Sequence, residues 1–347
     1  MAILLPFSAD QLRLLADADN HYRQYLQCRQ AEEAHSGWMR WKLQNGKEYL
    51  VSGQSGGTGQ QSHGPRSPST EALYEAFQQG KLEAQFNLQA INATLNERAA
   101  QMKALRMGRI PHPFARLLRH YDLHAILGDF LLVEGTHALF AYEALAGYWF
   151  ESALSATDDL DLLWHNLEDN NAEEKAELLA HKPASLLKYL KDIDRTFTVN
   201  QENRFQVRNN KGLVIDFLAS EQSKTTRPNE YLSPIPLPGQ EWLTLLPAVS
   251  TVVIDTQGLP VRLCCPDPRL YALHKAWLSR KTDRSPLKSH KDRQQALAVA
   301  TLASRHLPQF PFDAALRKIL PAELQNAWPM LSEQGALATP LEPGPLM

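Results

Sequence analysis

The sequence predicts an α+β protein, with a small mixed β-sheet core flanked by mainly helical N- and C-terminal regions. Three observations predict it. The first third carries long stretches of helical periodicity with a single hairpin signal. Short apolar segments bounded by turn residues, FLLV, DLDLLW and GLVIDFL among them, gather in the middle. Helical patterns return after Asp267-Pro268. At 347 residues the chain exceeds what one hydrophobic core usually fills, so three parts are expected: a helical region with a β-hairpin over 1–125, a sheet core over 126–235, and a mainly helical domain over 236–347.

Hydrophobic residues make up 44% of the chain and charged residues 21%, an ordinary balance for a globular protein. A formal net charge of −2 argues against a surface that coats nucleic acid throughout, while leaving room for a local basic groove. No apolar run approaches the roughly 20 residues that span a bilayer, so no membrane partner is expected. The opening MAILLPFSADQLRLL lacks the basic flank and small-residue cleavage site of a signal peptide. Cys28, Cys264 and Cys265 make neither a disulfide framework nor a metal spacing, which suits a reducing cytoplasm.

In chain order, Leu12, Leu14, Leu15, Tyr22, Tyr25 and Leu26 recur at helical spacing behind Ser8, a candidate N-cap, predicting an amphipathic helix over 8 to about 33. In GWMRWKLQNGKEYLV, Asn45-Gly46 separates two alternating segments, a tight-hairpin signal. The following SGQSGGTGQQSHGPRSPST reads as a mobile loop; no Gly-Lys-Ser/Thr closes it, so it is no P-loop. Arg66 either reaches a phosphate from this loop or stays solvated in a flexible connector. Residues 70 to about 107 predict a helix, with Gln79-Gly80 as its candidate break and 108–111 as its stop, and a shorter helix covers 114–120.

Further on, helices are expected over 171–180 and 184–193, split by Pro183, and RFQVRNNKGLVIDFL predicts a hairpin. YLSPIPLPGQEW is linker-like. Residues 252–254 and 259–263 form another hairpin pattern. Asp267 as N-cap and Pro268 then open a helix to about 281, with a second over 286–306 and two short helical patterns before a Pro-rich end.

The chemistry centres on FLLVEGTHALFAYEALAGYWFESALSATDDLDLLW, residues 130–164. Side chains alternate across a strand, so Asp159 and Asp161 share one face while Leu160, Leu162 and Trp164 share the other. The opposite register would bury aspartates and expose leucines, so Asp158 is expected in the turn before the strand. Asp216, alone among Val214, Ile215, Phe217 and Leu218, is a third acid on an apolar strand. Three carboxylates suit Mg²⁺ or Mn²⁺ rather than zinc, and a pair of such ions can activate a hydroxyl and stabilise a leaving pyrophosphate. Gly135-Thr136 falls where a strand ends and a helix begins, a position that favours phosphate. His137 reads as a packed helix residue. No Gly-x-Ser-x-Gly, His-Glu-x-x-His or Cys-His pattern points to hydrolase or zinc chemistry.

The order of strand, Gly-Thr turn, helix, Asp-x-Asp strand and later strand Asp resembles the DNA polymerase β-like nucleotidyltransferase superfamily. The strings VEGTHALFAYEALAG, ATDDLDLL, GLVIDFL, DPRLYALHKAWLSRKTDRSPLKSHKDRQQA and SHGPRS resemble most closely a bacterial branch of nucleotidyltransferase-fold proteins, over residues 37 to about 308. The resemblance implies a catalytic core over 126–235, with Gly135 and Thr136 on the nucleotide's phosphates. It further implies metal on Asp159, Asp161 and Asp216, with Asp216 also the base toward the acceptor hydroxyl. Thr in place of the usual Ser or Gly, and a long segment between Gly135 and Asp159, depart from the superfamily pattern. A helix following the sheet often reaches back to the nucleotide in this superfamily, which nominates Lys275 and Lys291, then Arg280, as a phosphate clamp. Arg284 and Lys288 read instead as a solvated basic face.

The expected function is metal-dependent transfer of an NMP from an NTP such as ATP to an acceptor hydroxyl, with release of pyrophosphate. The acceptor could be RNA such as tRNA, protein or a small molecule. The alternatives are a non-catalytic nucleotide- or RNA-binding regulatory protein of a toxin–antitoxin or defence system, and phosphodiester hydrolysis by the same acids. Trp38 and Trp41 would either present aromatic surface to RNA or pack.

Overall fold

The computed structural model describes residues 4–54, 59–165, 186–221 and 232–337. A short strand, β1 (Leu5–Pro6), precedes α1 (Ala9–Ala34), whose start is fixed by a capping box between Ser8 and Gln11. Next come β2 (Trp38–Gln44) and β3 (Lys47–Gly53), antiparallel across Asn45 (φ 51°) and Gly46 (φ 74°). Two positive φ values in succession are the mark of a type I′ turn, whose twist matches the strands.

The mobile-loop expectation needs correction. Within it, β4 (Gln60–Pro65) pairs antiparallel with β3 and completes a three-stranded sheet. Its residues are exposed or half-buried, so no apolar alternation announces a strand held by backbone hydrogen bonds. Helix α2 (Pro68–Ala104) also runs unbroken through Gly80. A Cβ there would lie 2.5 Å from Nε2 of His35, so this glycine serves close helix approach and not a break. The expected stop at 108–111 is largely a strand, β5 (Gly108–Ile110), followed by α3 (His112–Leu123).

The central sheet is built from β6 (Leu131–Val133), β8 (Asp159–Trp164), β9 (Thr198–Val199), β10 (Gln206–Arg208), β11 (Val214–Ser220) and β12 (Ile235–Leu237). Strands β8 and β11 run parallel, with β6 antiparallel to β8 on one side and β10 antiparallel to β11 on the other. The passage read as linker-like contributes β12, parallel to β11, and a 3₁₀ turn over Gln240–Thr244 whose Gln240 and Leu243 are buried. Between β6 and β8 lie α4 (Ala138–Ala146) and β7 (Tyr148–Trp149), the latter paired with β1. Helix α5 (Leu186–Ile193) matches the expected 184–193 segment where it is described; the helix expected over 171–180, Pro183 and the Pro-rich end lie outside the described residues.

Strands β13 (Val249–Asp255) and β14 (Pro260–Cys265) form the later hairpin, and β5 adds parallel to β13. Four helices follow: α6 (Pro268–Leu278), opened by the Asp267 side chain on the backbone N–H of Arg269, α7 (Pro286–His306), α8 (Ala314–Ile319) and α9 (Ala322–Glu333). The molecule is thus α+β, with a small mixed sheet flanked by helices. Its main core joins that sheet to α3, α4, α6, α7 and α9, and a smaller cluster packs Leu14, Ala18 and Tyr22 of α1 on Val252 and Ile254 of β13. No helix among the described residues is long and apolar enough to cross a membrane.

Candidate active site

Burial selects the register of β8. Leu160 and Leu162 are fully buried, each gaining about 1.5–3 kcal/mol over exposure, whereas Asp158 is exposed in the bend before the strand. Asp159 and Asp161 therefore project from the opposite face. The parallel register places Asp161 level with Asp216 of β11 and Asp159 level with Val214. One oxygen from each of Asp159, Asp161 and Asp216 lies within 4.8 Å of the others.

The supporting side chains leave some oxygens free. Gln206, opposite Asp216 on β10, donates from Nε2 to Asp216 Oδ1 at 3.0 Å and is itself held by Asn200 Nδ2 at 3.0 Å. The Thr157 hydroxyl donates to Asp159 Oδ1. Burial, then the neighbouring Asp159 charge, raises Asp161 to about 6, and burial also raises Asp216. Carboxylates crowded in this way resist ionising together, and a divalent cation relieves exactly that repulsion. An all-oxygen donor set of three acids fits Mg²⁺ or Mn²⁺.

Beside this cluster, β6 leads into a 3₁₀ turn over Gly135–His137 and then α4. Gly135 has φ +61°, and a Cβ on it would stand 1.9 Å from Asp161 Oδ2. Both the backbone conformation and the adjacent carboxylate demand glycine. Two helices brace the turn from behind: Tyr271 of α6 donates to the Gly135 carbonyl at 3.0 Å, and Gln295 of α7 donates to Thr136 Oγ1 at 3.3 Å and to the Leu154 carbonyl at 2.9 Å. Because the Thr136 oxygen accepts from Gln295, its own hydrogen remains available to a ligand. His137 is buried with its ring against Phe114 and Phe140, and burial lowers it to about 4; it packs as expected.

These groups open on a cavity of about 580 Å³. The strand side carries the acids and the Gly135-Thr136 turn. The helical side carries Lys275 and Lys281 from α6 and its end, Arg284 from the connecting turn, and Lys288 and Lys291 from α7. Lys275 (2.9 Å) and Arg284 (2.7 Å) share the buried Asp292, and Lys291 donates to the Ala156 carbonyl at 2.8 Å. Burial, then Lys275, lowers the Lys291 pKa. Phe205, Leu218, Ile235, Leu237 and Leu243 supply an apolar flank.

The structure therefore brings together Gly135, Thr136, Asp159, Asp161, Asp216, Lys275 and Lys291. It does not bring Arg280 or Arg66 to the cavity lining. Arg280 donates to the Asn326 carbonyl, and Arg66 pairs with Glu48 and Glu71 above the Trp41 ring. Arg284 and Lys288, read from sequence as a solvated face, line the cavity; Lys288 stands three residues before Lys291, the helical spacing that puts both on one side. Sequence reasoning also missed Glu134, Tyr271, His274 and Gln295. Glu134 is buried, accepts from Gln240 Nε2 at 3.3 Å, and is raised to about 8 by burial and then by Asp161. Nothing in its sequence neighbourhood separates it from a surface glutamate.

A family model described as "Nucleotidyltransferase" matches residues 112–321, which span the cavity's strands and both of its cationic helices. Comparison with curated proteins gives no match, and neither does comparison with solved structures. With well over half of the chain matched, the protein belongs to the nucleotidyltransferase family, enzymes that transfer phosphorus-containing groups.

Proposed function

We propose that this protein transfers an NMP from an NTP to an acceptor hydroxyl, releasing pyrophosphate, with Asp159, Asp161 and Asp216 holding Mg²⁺ or Mn²⁺. The observation that carries this is the meeting of three carboxylates with the Gly135 turn on one wall of a cavity whose facing wall is cationic. Such a cation, when bound, would neutralise phosphate charge and make the acceptor oxygen more acidic.

The chain's own residues would act as follows. The Gly135-Thr136 turn offers backbone N–H groups and the Thr136 hydroxyl to phosphate oxygens, while Lys275 and Lys291 offset the negative charge that moves onto the leaving pyrophosphate. Gln206 occupies Asp216 Oδ1, leaving Oδ2 to take the proton of the acceptor hydroxyl. The acceptor oxygen then bonds to the α-phosphorus, the bond from that phosphorus to the bridging oxygen breaks, and pyrophosphate departs. The apolar flank suits the base or the ribose. The same reading divides labour along the chain: 126–235 for catalysis, 236–347 for the cationic wall, and 1–125 for acceptor handling, in the cytoplasm.

Incubation with each α-labelled NTP, Mg²⁺ and a cell extract tests it. Label should appear in RNA, protein or a small molecule together with pyrophosphate, and should vanish in Asp159→Asn. Absence of transfer, or transfer that survives Asp159→Asn, overturns the proposal; release of free NMP without a labelled acceptor would mean hydrolysis instead.

A further inference from the structure

A second cavity, of about 350 Å³, lies where α1, α2 and α3 meet the β13–β14 turn, and it shares no lining residue with the carboxylate cavity. Its volume is within the range of small-ligand pockets. Its chemistry is one-sided. Arg29 of α1, Asn92 and Asn96 of α2, and Arg116, Arg119 and His120 of α3 line it, and among the described residues no carboxylate does. The pattern is periodic on each helix: Asn92 and Asn96 are four apart, as are His112 and Arg116, so each pair projects from one side.

The counter-charges sit away from the lining. Asp255, fully buried behind α3, takes Arg119 Nη2 and His112 Nδ1, each at 2.7 Å, while Glu32 and Glu33 hold Arg29 from further along α1. Arg119 also donates to the Pro260 carbonyl at 2.7 Å, which fixes its guanidinium at the cavity edge. Arg116 is exposed and has no ion pair among the described residues. The Asn92 and Asn96 amides and the Tyr25 hydroxyl have no hydrogen-bond partner there either, and His120 Nε2 is buried without one. A pocket whose described lining is crowded with donors and free of acids is complementary to an anion. Tyr25 beside it offers a ring on which a base can stack.

We propose that this cavity is a second binding site, for a nucleotide unit held by its phosphate on Arg116 and the Asn92 and Asn96 amides. The unit is either a free mononucleotide or one residue of a nucleic-acid strand; both present the same phosphate and base. The site stands independently of chemistry in the carboxylate cavity.

Calorimetry on the full chain with two probes, AMP and a single-stranded 12-nucleotide oligo(A), in EDTA, tests the site and separates its sources. Arg116→Ala, which breaks no hydrogen bond or ion pair among the described residues, and Asn96→Asp, which adds a negative charge with little change of shape, should each weaken one probe roughly tenfold with an unchanged melting temperature. Weakened AMP binding identifies a free nucleotide, and a loss confined to the oligonucleotide identifies a strand. In the latter case Arg116→Ala should also reduce the salt dependence of binding by about 0.7 in log–log slope. Equal binding of both probes to the wild type and to both variants, or no binding of either probe to the wild type, overturns the proposal.

Discussion

The Asp161 carboxylate occupies the space that a side chain at residue 135 would need: a Cβ on Gly135 would fall 1.9 Å from Asp161 Oδ2. The Gly135 turn and the strand that carries Asp161 are thus fitted to each other at one atom. Gly135→Ala should cost about 1–2 kcal/mol from the left-handed backbone alone. It should also push Asp161 away from Asp159 and Asp216, so transfer should fall by orders of magnitude while the fold persists. Denaturant unfolding alongside the labelled-NTP assay would show both; full activity in Gly135→Ala would mean that this fit is idle.

Charge crowding predicts opposite effects of Asp161→Asn on stability and on activity. Removing one charge from the buried cluster should leave the metal-free protein as stable or more so, because Asp161 is already raised to about 6 by burial and Asp159. Mg²⁺ at about 100 times its Kd should stabilise the wild type by about 2.7 kcal/mol and the variant far less. Thermal melts with and without Mg²⁺ are the measurement, and equal Mg²⁺ stabilisation of both proteins would place the cation elsewhere.

The buried Glu134 predicts an unusual pH profile for the metal-free protein. It is raised from 4.5 to about 8, so the folded state holds its proton more tightly than the unfolded chain, and stability falls as pH rises between those values. Asp161 acts in the same direction only up to about 6. The buried His137 and His274, lowered to about 4 and 3, and the half-buried His120, lowered to about 4, act in the opposite direction, adding stability as pH rises toward 6.5. Between about pH 6.5 and 8 the Glu134 contribution is left exposed. Chemical denaturation across that window should show declining stability in the wild type and a flatter profile in Glu134→Gln; identical slopes would contradict it.

The cationic wall predicts a separation among basic residues. Lys291→Ala should raise KM for the NTP roughly tenfold or more, since charge-assisted hydrogen bonds are worth about 1.5–3 kcal/mol. Arg280→Ala and Arg66→Ala should leave the kinetics unchanged, because their side chains are engaged with Asn326 and with Glu48 and Glu71 away from the cavity. Steady-state kinetics on the three variants decides it.

The sequence by itself determined whatever local periodicity encodes. Alternation put Asp159 and Asp161 on one face of a strand, Asn45-Gly46 marked a hairpin, Ser8 and Asp267 marked helix starts, and the apolar neighbours of Asp216 marked it as unusual. Tertiary structure decided what depends on partners far along the chain. Strand β4 is legible only once β3 is beside it, and Gly80 looks like a helix break until His35 is seen against it. A charged side chain's role is set by which neighbours desolvate it and which way the local backbone directs it. Arg280 and Arg284, four residues apart but both in the turn between α6 and α7, therefore end on different surfaces, and Glu134 becomes a buried acid beside Asp161. Spacing places a residue on a face; only packing decides what that face meets.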